Sequence, residues 1–367
     1  MARIVCWQLA LVLAGVAVTR PWPVATGLGA AAAVLLGLSA ARVRGEWLST
    51  LLHRRAGWLL RRRSYALPPA TPPTGGPGPE SLLPALLPGA RLGTAEFGGA
   101  PAGLVSQPDA LVAVLRPAGD APGAGAGPGA ATGPGGVSPA HARDPWDLVR
   151  AAFSGALLPE QPADQVPWLE LDLVLHRGPR QARLRAWLAV RARRDADAAE
   201  DEPLRVALGN TTRRTLRRAR RSGLDLVVLP ERELLATVRA LTHTGPGREA
   251  LRERWRYWQA GPVSQVGMRL RGTGTRPLDP ASVLRRIFAQ VPDVALTVAV
   301  AAHAPGPTGV LRIAAAAPEY ADAAAAQLVR LGPECGVRLE RLDGLHGPAV
   351  AASLPIGASL PIGGTHP

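Results

Sequence analysis

The sequence predicts an α+β protein: a two-helix N-terminal transmembrane hairpin, followed by a cytosolic domain with a repeated βαββαβ, ferredoxin-like order. Two uncharged apolar runs open the chain, at residues 4–19 and 24–41. Beyond them, patterns with the period of a strand alternate with patterns with the period of a helix. The 41 glycines and 37 prolines of the 367 residues are concentrated between these segments, where they favour loops.

The two apolar runs have the composition of short membrane spans. As helices they extend about 24 and 27 Å at about 1.5 Å per residue, close to a hydrocarbon core of about 30 Å. Pro21 and Pro23 lie between them and permit a tight reversal. We therefore expect residues 1–41 to form the hairpin. The alternative is a cleaved signal peptide ending near Ala17, but a second apolar run and an arginine cluster follow, which is not typical of signal peptides.

A basic segment follows the hairpin and predicts its orientation. Residues 1–63 carry nine arginines and one glutamate. By the positive-inside rule this flank and both termini are expected in the cytoplasm, with two spans in the inner membrane. Leucines among the arginines predict a basic juxtamembrane helix within 42–67 that contacts anionic lipid headgroups. The residues expected at the membrane interface are Trp22, Arg42, Arg44, Trp47, Arg54, Arg55, Trp58, Arg61, Arg62 and Arg63.

Small residues recur at a spacing of four in the second apolar run. Gly29, Ala33 and Gly37 share one helix face, and small residues let helix backbones approach closely in lipid. This face is a candidate packing surface against the first helix or another subunit. The alternative is that such a spacing arises by chance in an alanine-rich segment.

The rest of the chain is expected to comprise a linker, one folded domain and a tail. Segments rich in Pro and Gly cannot bury enough apolar surface to offset chain entropy. The predicted boundaries are a linker at 68–81, an α+β domain at 82–357 with a disordered loop at 117–140, and a tail at 358–367.

Within the domain, the order βαββαβ is predicted from 110 to 229 and again from 263 to 342, with a last strand at 349–354. The alternating leucines between Leu169 and Leu175 typify a strand with one buried face. An internal duplication is one interpretation of the two runs. A single α+β domain with this alternation is the other.

Composition excludes several kinds of chemistry. All 42 basic residues are arginine, so a lysine-dependent phosphate-binding loop, a Schiff base and the protein-kinase motif are impossible. The seven histidines and the two cysteines, Cys6 and Cys335, have no metal-ligand spacing. We therefore predict no catalytic residue, no cofactor and no metal.

Two acidic pairs are the enzyme-like features. Asp195 and Asp197 could chelate a cation and the pyrophosphate of a nucleotide sugar, which makes a membrane-tethered glycosyltransferase the alternative function. An acidic loop that precedes a helix N-terminus is the favoured interpretation. Glu170 and Asp172 could act as acid and base, but cross-strand pairing with arginines of the next strand is favoured.

One predicted helix, at 203–222, carries a dense arginine face. Leucines, a threonine and an alanine form the opposite, core-facing stripe. The arginines could be a solvated face, a surface for an acidic partner or the anionic leaflet, or a nucleic-acid surface. Nucleic acid is the least favoured, because no aromatic residues interleave. The candidate partner residues are Arg213, Arg214, Arg217, Arg218 and Arg221.

Several further motifs carry a family resemblance. They are the two apolar runs, the basic segment 42–48 with 61–63, the stretch Glu253–Trp258 and the stretch 338–344 with Gly347 and Pro348. Together they resemble EccE, a membrane component of the type VII (ESX) secretion system of actinobacteria. The resemblance implies a non-catalytic subunit at the periphery of an inner-membrane complex with EccB-, EccC- and EccD-like partners, in which the EccC-like subunit supplies the ATPase.

Overall fold

The computed structural model describes residues 2–43, 46–61, 63–67, 82–97, 99–119, 144–157, 168–194, 201–245, 248–273, 279–302 and 308–356. The described residues fall into two compact units, an N-terminal unit within Met1–Arg63 and a sheet unit within Ser64–Leu360. The predicted tail at 358–367 and nearly all of the predicted loop at 117–140 lie outside the described residues.

The N-terminal unit consists of helices and one short hairpin. Helices α1 (Ala2–Val18) and α2 (Trp22–Ala40) pack together, with Ala10 and Ala32 buried. Strands β1 (Arg42–Val43) and β2 (Glu46–Trp47) form an antiparallel pair before α3 (Leu48–Leu60). The basic helix predicted at 42–67 is therefore shorter, because strand pairing takes Arg42–Val43 and Glu46–Trp47 at its start and Ser64–Ala66 at its end.

Over the part of the chain that is described, no helix combines the length and apolarity that a membrane crossing requires. Helices α1 and α2 have 17 and 19 residues. The predicted transmembrane hairpin and its two crossings are therefore not supported.

The sheet unit mixes helices and strands, which confirms the α+β prediction. Its helices are α4 (Leu82–Leu86), α5 (Pro145–Phe153), α6 (Asp201–Arg221), α7 (Glu231–Thr242), α8 (Pro280–Gln290), α9 (Pro318–Leu331) and α10 (His346–Ala352). Its strands are β3 (Ser64–Ala66), β4 (Arg91–Phe97), β5 (Ala100–Gln107), β6 (Ala110–Pro117), β7 (Leu169–Arg177), β8 (Arg185–Arg193), β9 (Leu226–Val228), β10 (Ala250–Glu253), β11 (Trp258–Ala260), β12 (Val263–Gly272), β13 (Ala295–Ala301), β14 (Gly309–Ala315) and β15 (Val337–Arg341).

All the strands of this unit join one antiparallel sheet. The neighbour order is β3-β10-β11-β12-β14-β13-β7-β8-β6-β5-β4, with β15 also paired to β12 and β9 to β6. The first run of elements places its strands in the order β9-β6-β8-β7, and the second in the order β15-β12-β14-β13. Pairing of β7 with β13 joins the two runs.

Two observations differ from the sequence-based expectations. Strand β3 precedes the predicted linker at 68–81 and pairs with β10, so the sheet unit begins at Ser64 rather than at residue 82. Residues 349–354, predicted as a strand, lie mostly in α10. Alanine favours helix over strand, and α10 is buried against β12 and β14.

Helices cover both faces of the sheet. The first face packs against α5, α6, α8 and α9 and receives every second side chain of β7, from Leu169 to Leu175. The second face packs against α4, α7 and α10 and receives Val174. The alternation predicted for β7 is therefore confirmed, and any polar residue at an even position of this strand lies on the second face.

Candidate functional site

The membrane-interface candidates of the N-terminal unit fall into three groups. Trp22, the first residue of α2, is 80% exposed. On and just after α3, the Arg63 guanidinium lies over the Trp58 ring, 4.6 Å from its centroid. Arg54, Arg55 and Arg61 are half-buried or exposed. The remaining candidates are Arg42 and Trp47, in the β1–β2 pair, and Arg44 and Arg62, outside the described residues.

The small-residue face of α2 is exposed. Gly29, Ala33 and Gly37 all face solvent, and a Cβ at either glycine would meet nothing within 4 Å. Helix α2 instead uses Ala32 in its buried contact with α1. A packing role against α1 is therefore not supported, and packing against another subunit stays a prediction.

The arginine face of α6 is presented on a firmly packed helix. Leu204, Leu208, Thr212 and Ala219 are buried against the sheet, which confirms the predicted core stripe. Asp201 and Glu202 occupy the first turn and basic residues the last, the arrangement that the helix dipole favours.

The arginines on the opposite side have few partners. Arg213, Arg214, Arg217 and Arg221 are exposed, and within the described residues they form no ion pair. Arg213 donates to Asn210 Oδ1 at 2.8 Å. Arg218 is half-buried, with its guanidinium 3.4 Å from the Ala156 carbonyl oxygen. Among the described residues, the face therefore presents several guanidinium groups without compensating carboxylates.

One of the two carboxylates of β7, Glu170, is paired with a buried arginine of the next strand. Arg191 lies 2.7 Å from Asp109 and 3.7 Å from Glu170, its register partner. This confirms cross-strand pairing for Arg191, whereas Arg185 lies opposite His176. Burial, with a smaller contribution from Glu170, raises the pKa of Asp172 to about 6. The other acidic pair, Asp195 and Asp197, lies outside the described residues.

The two C-terminal motif segments meet in space. The backbone N–H of Gly347 donates to Glu253 Oε1 at 2.9 Å. Gly344 donates to the Trp255 carbonyl at 2.7 Å, with a positive φ of 73° and no room for a Cβ against the Trp255 ring. These contacts join the loop before β11 to the segment that leads into α10.

Ion pairs also link the two motif segments to each other and to α9. Asp322 on α9 accepts from both Arg256 and Arg341, and Arg341 also pairs with Asp343. Both motifs therefore have a packing role, and Arg256 and Arg341 each have a carboxylate partner.

A polar cluster on the second face was not anticipated from the sequence. Arg312 on β14 is 1% exposed and donates to Gln265 on β12 and to Thr297 on β13. His176 on β7 lies 2.9 Å from the same threonine hydroxyl. His243, at the end of α7, lies with its ring centroid 6.4 Å from that of His176. The sequence feature that could have indicated this cluster is Arg312, a charged residue inside the otherwise apolar strand β14.

Part of the sheet unit matches a known protein family. Residues 181–269 match the family model described as "Putative type VII ESX secretion system translocon, EccE". The chain carries an EccE region. The resemblance deduced from the motifs is thus confirmed over this segment. Comparison with curated proteins finds no significant match.

The EccE match covers β8, α6, β9, α7, β10, β11 and most of β12. It therefore includes the arginine face of α6, the first of the two joined motifs, and His243 and Gln265 of the polar cluster. The match supports a component of a type VII secretion system.

Proposed function

We propose that the protein is a non-catalytic structural subunit of the type VII inner-membrane complex, and that the arginine face of α6 binds an acidic surface of an EccB-, EccC- or EccD-like partner. The observation that carries the proposal is a set of arginines within the EccE match that have no carboxylate partner in the described part of the chain.

Like charges on this face repel one another. Arg213 and Arg217, Arg214 and Arg218, and Arg217 and Arg221 are spaced four apart, and each such pair destabilises a helix by about 0.2–0.5 kcal/mol. Because the helix is held by its buried stripe, the repulsion is tolerated rather than relieved. An acidic partner would relieve it and gain a rigid, preorganised surface.

Charge neutralisation tests this proposal. The triple variant Arg213→Gln, Arg214→Gln and Arg217→Gln is expected to keep the fold, yet to recover far less of the EccB-, EccC- and EccD-like subunits on purification in mild detergent. The matched control replaces three exposed arginines elsewhere, Arg285, Arg286 and Arg330, by glutamine. Equal recovery with both triple variants would contradict the proposal.

Lipid and nucleic acid are the competing partners of the same face. Co-sedimentation of the chain with anionic vesicles, or salt-sensitive binding to DNA, would each be abolished by the triple variant if the face bound those ligands. Either result, with unchanged subunit recovery, would favour that partner instead.

Membrane association is proposed for the N-terminal unit. Trp7, Leu11, Val12, Trp22 and Val34 on α1 and α2 are all 47% exposed or more, and apolar surface of this extent marks an interaction site with protein or membrane. The arginines of α3 support contact with anionic headgroups. Fractionation of cells that express the chain without residues 1–63 tests this, since full retention in the membrane fraction would contradict it.

We also infer that the sheet unit contains two ferredoxin-like halves. The strand orders β9-β6-β8-β7 and β15-β12-β14-β13 support this, because both follow the 4-1-3-2 arrangement of a split βαβ pair. An experimental structure tests it: superposition of Ala110–Val228 on Val263–Arg341 should align all four strands and both helices, and failure of either helix to align would contradict the inference.

A further inference from the structure

Strand β4 forms an open edge of the sheet. Among the described residues it pairs with β5 alone, along its whole length. The backbone N–H of Gly103 on β5 donates at 2.8 Å to the carbonyl of Leu229, which follows β9 on the β6 side. It therefore points away from Thr94, its register partner on β4. In such an antiparallel pair the backbone groups of both residues point apart, so those of Thr94, and at a period of two those of Leu92 and Glu96, face outward.

A second hairpin occupies the equivalent place in the other run of the sheet. Strand β11 pairs with the start of β12 from Ala260 and Val263 onward, and β5 pairs with the start of β6 from Gln107 and Ala110 onward. Two residues make each connection. Strand β10 lies outside β11 as β4 lies outside β5. The hairpins β10–β11 and β4–β5 are therefore equivalent additions to the two runs.

Strand β3 occupies the outer edge of β10, the edge that has no described partner in β4. It pairs with β10 in antiparallel register, with Tyr65 opposite Leu251. The Tyr65 ring packs on the second face, its centroid 6.3 Å from that of the Trp258 ring. Beyond the strand, the backbone N–H of Leu67 donates to the Glu249 carbonyl at 2.9 Å. The chain itself therefore shows that a hairpin in this place accepts an added strand with an aromatic side chain on the second face.

A cavity of about 710 Å³ adjoins the open edge. Arg91 and Gly93 line it from β4, and Arg194 and Asp201 line it from the start of α6. A Cβ at Gly93 would meet nothing within 4 Å, so the described residues leave this side of the strand accessible. The Arg194 guanidinium pairs with Asp201, whereas Arg91 is exposed and forms no ion pair among the described residues. The edge therefore carries one uncompensated guanidinium beside its outward backbone groups.

We propose that the outer edge of β4 binds an extended acidic segment of a partner protein as an added antiparallel strand, with a carboxylate beside Arg91 and an aromatic side chain beside Leu92. Backbone hydrogen bonds supply the affinity, and the two side-chain positions supply the specificity. Leu92 packs partly against the second-face core and extends it toward the added strand. Glu96, about 17 Å from Arg91 at about 3.4 Å per residue, disfavours an acid at the other end. This edge is separate from the α6 face and does not depend on its role.

A second copy of β4 fits this edge less well than an acidic segment. Arg91 lies on the first face and Glu96 on the second, because they are an odd number of residues apart in one strand. In a two-fold antiparallel pair of β4 strands, opposed side chains share a face. Arg91 of one copy therefore cannot lie opposite Glu96 of the other, and it would gain no carboxylate from β4.

Fluorescence anisotropy of a labelled, C-terminally amidated peptide, Thr-Val-Thr-Val-Tyr-Glu, with the full chain tests the proposal. In antiparallel register its tyrosine lies beside Leu92 and its glutamate beside Arg91. We expect saturable binding that weakens at least about tenfold when the glutamate is replaced by lysine. No saturable binding up to about 1 mM, or equal binding of the lysine peptide, would overturn the proposal.

Methylated peptides test the backbone pairing. N-methylation of the second threonine and the tyrosine removes amide hydrogens that face β4, and it should abolish binding. N-methylation of the two valines removes amide hydrogens that point away from β4, and binding should persist. Equal loss in both methylated peptides would overturn the proposal.

Variants of the chain locate the site. Thr94→Pro removes an outward N–H without removing a bond to β5 and should weaken peptide binding at least about tenfold, whereas Thr94→Val keeps the N–H and should bind like the wild type. Arg91→Glu should reverse the preference, so that the lysine peptide binds better than the glutamate peptide. Unchanged affinity in Thr94→Pro would overturn the proposal. If that variant fails to fold, the methylated peptides still decide with the wild type.

Two further measurements separate the competing interpretations. The α6 triple variant defined above should bind the peptide like the wild type, and a loss of binding there would assign the peptide to the α6 face instead. In analytical ultracentrifugation, a concentration-dependent dimer that Thr94→Pro abolishes, together with no peptide binding by the wild type, would assign the edge to a second copy. Either result would overturn the proposal.

Discussion

Acidification should destabilise the sheet unit through the histidines beside Arg312. The ordinary pKa of histidine is about 6.5, whereas burial, and then the charge of Arg312, lower the pKa of His176 to about 3 and that of His243 to about 4 in the folded chain. As the pH falls below about 6.5, the unfolded chain binds protons that the folded chain does not, so stability falls with pH. From pH 7 to pH 5 each ring contributes a loss of about 1–2 kcal/mol, since both keep some contact with solvent.

Asp172 acts in the opposite direction. Because its pKa is raised to about 6, the folded chain takes up this proton before the unfolded chain does, which offsets about 1 kcal/mol over the same interval. The expected net loss in the free energy of unfolding is about 1–3 kcal/mol. His346, whose pKa burial also lowers, adds a loss of the same sign.

Urea unfolding of the full chain at pH 7, 6 and 5, followed by tryptophan fluorescence, measures this loss. The double variant His176→Asn, His243→Asn should no longer show this loss, since only the opposing contributions of Asp172 and His346 remain. Asp172→Asn should steepen it. Equal stability of the wild type at pH 7 and pH 5, or an unchanged slope in the double variant, would refute the reasoning.

Two substitutions at the second face test its packing by the same urea assay. Gly267→Ala places a Cβ 2.3 Å from the Ala349 Cβ and should lower the free energy of unfolding by about 1–3 kcal/mol. The control is Gly93→Ala on the edge strand β4, where a Cβ meets nothing within 4 Å. Equal effects of the two substitutions would contradict the steric argument. Glu253→Ala removes the acceptor of the buried Gly347 N–H and should lower the free energy of unfolding by about 1–3 kcal/mol; a loss below about 0.5 kcal/mol would show that the N–H finds another partner.

Elements with a regular apolar period were predictable from the sequence. The leucines of β7 and the stripe of α6 each have one strong periodicity, and burial follows it. The helix predicted at 203–222 is observed at Asp201–Arg221. In such segments, local pattern and tertiary packing require the same conformation, so the sequence alone suffices.

Elements defined by distant partners were not predictable. Strand β10 is four residues long and buries Glu253, and it exists because β3 and β11 pair with it. The polar cluster brings together residues as far apart in sequence as His176 and Arg312. No short-range signal links such positions, because the sheet order alone makes them neighbours.

The borders of the EccE match do not coincide with any border of the fold. The matched segment 181–269 contains β8, but not β7 or β6, which flank it in the sheet; it contains most of β12, but not β14. A fragment cut at these borders would leave two central strands with exposed backbone edges, the kind of surface that templates aggregation. The segment that shows the family similarity is therefore not expected to fold by itself. An expression fragment should instead comprise Ser64–Ile356.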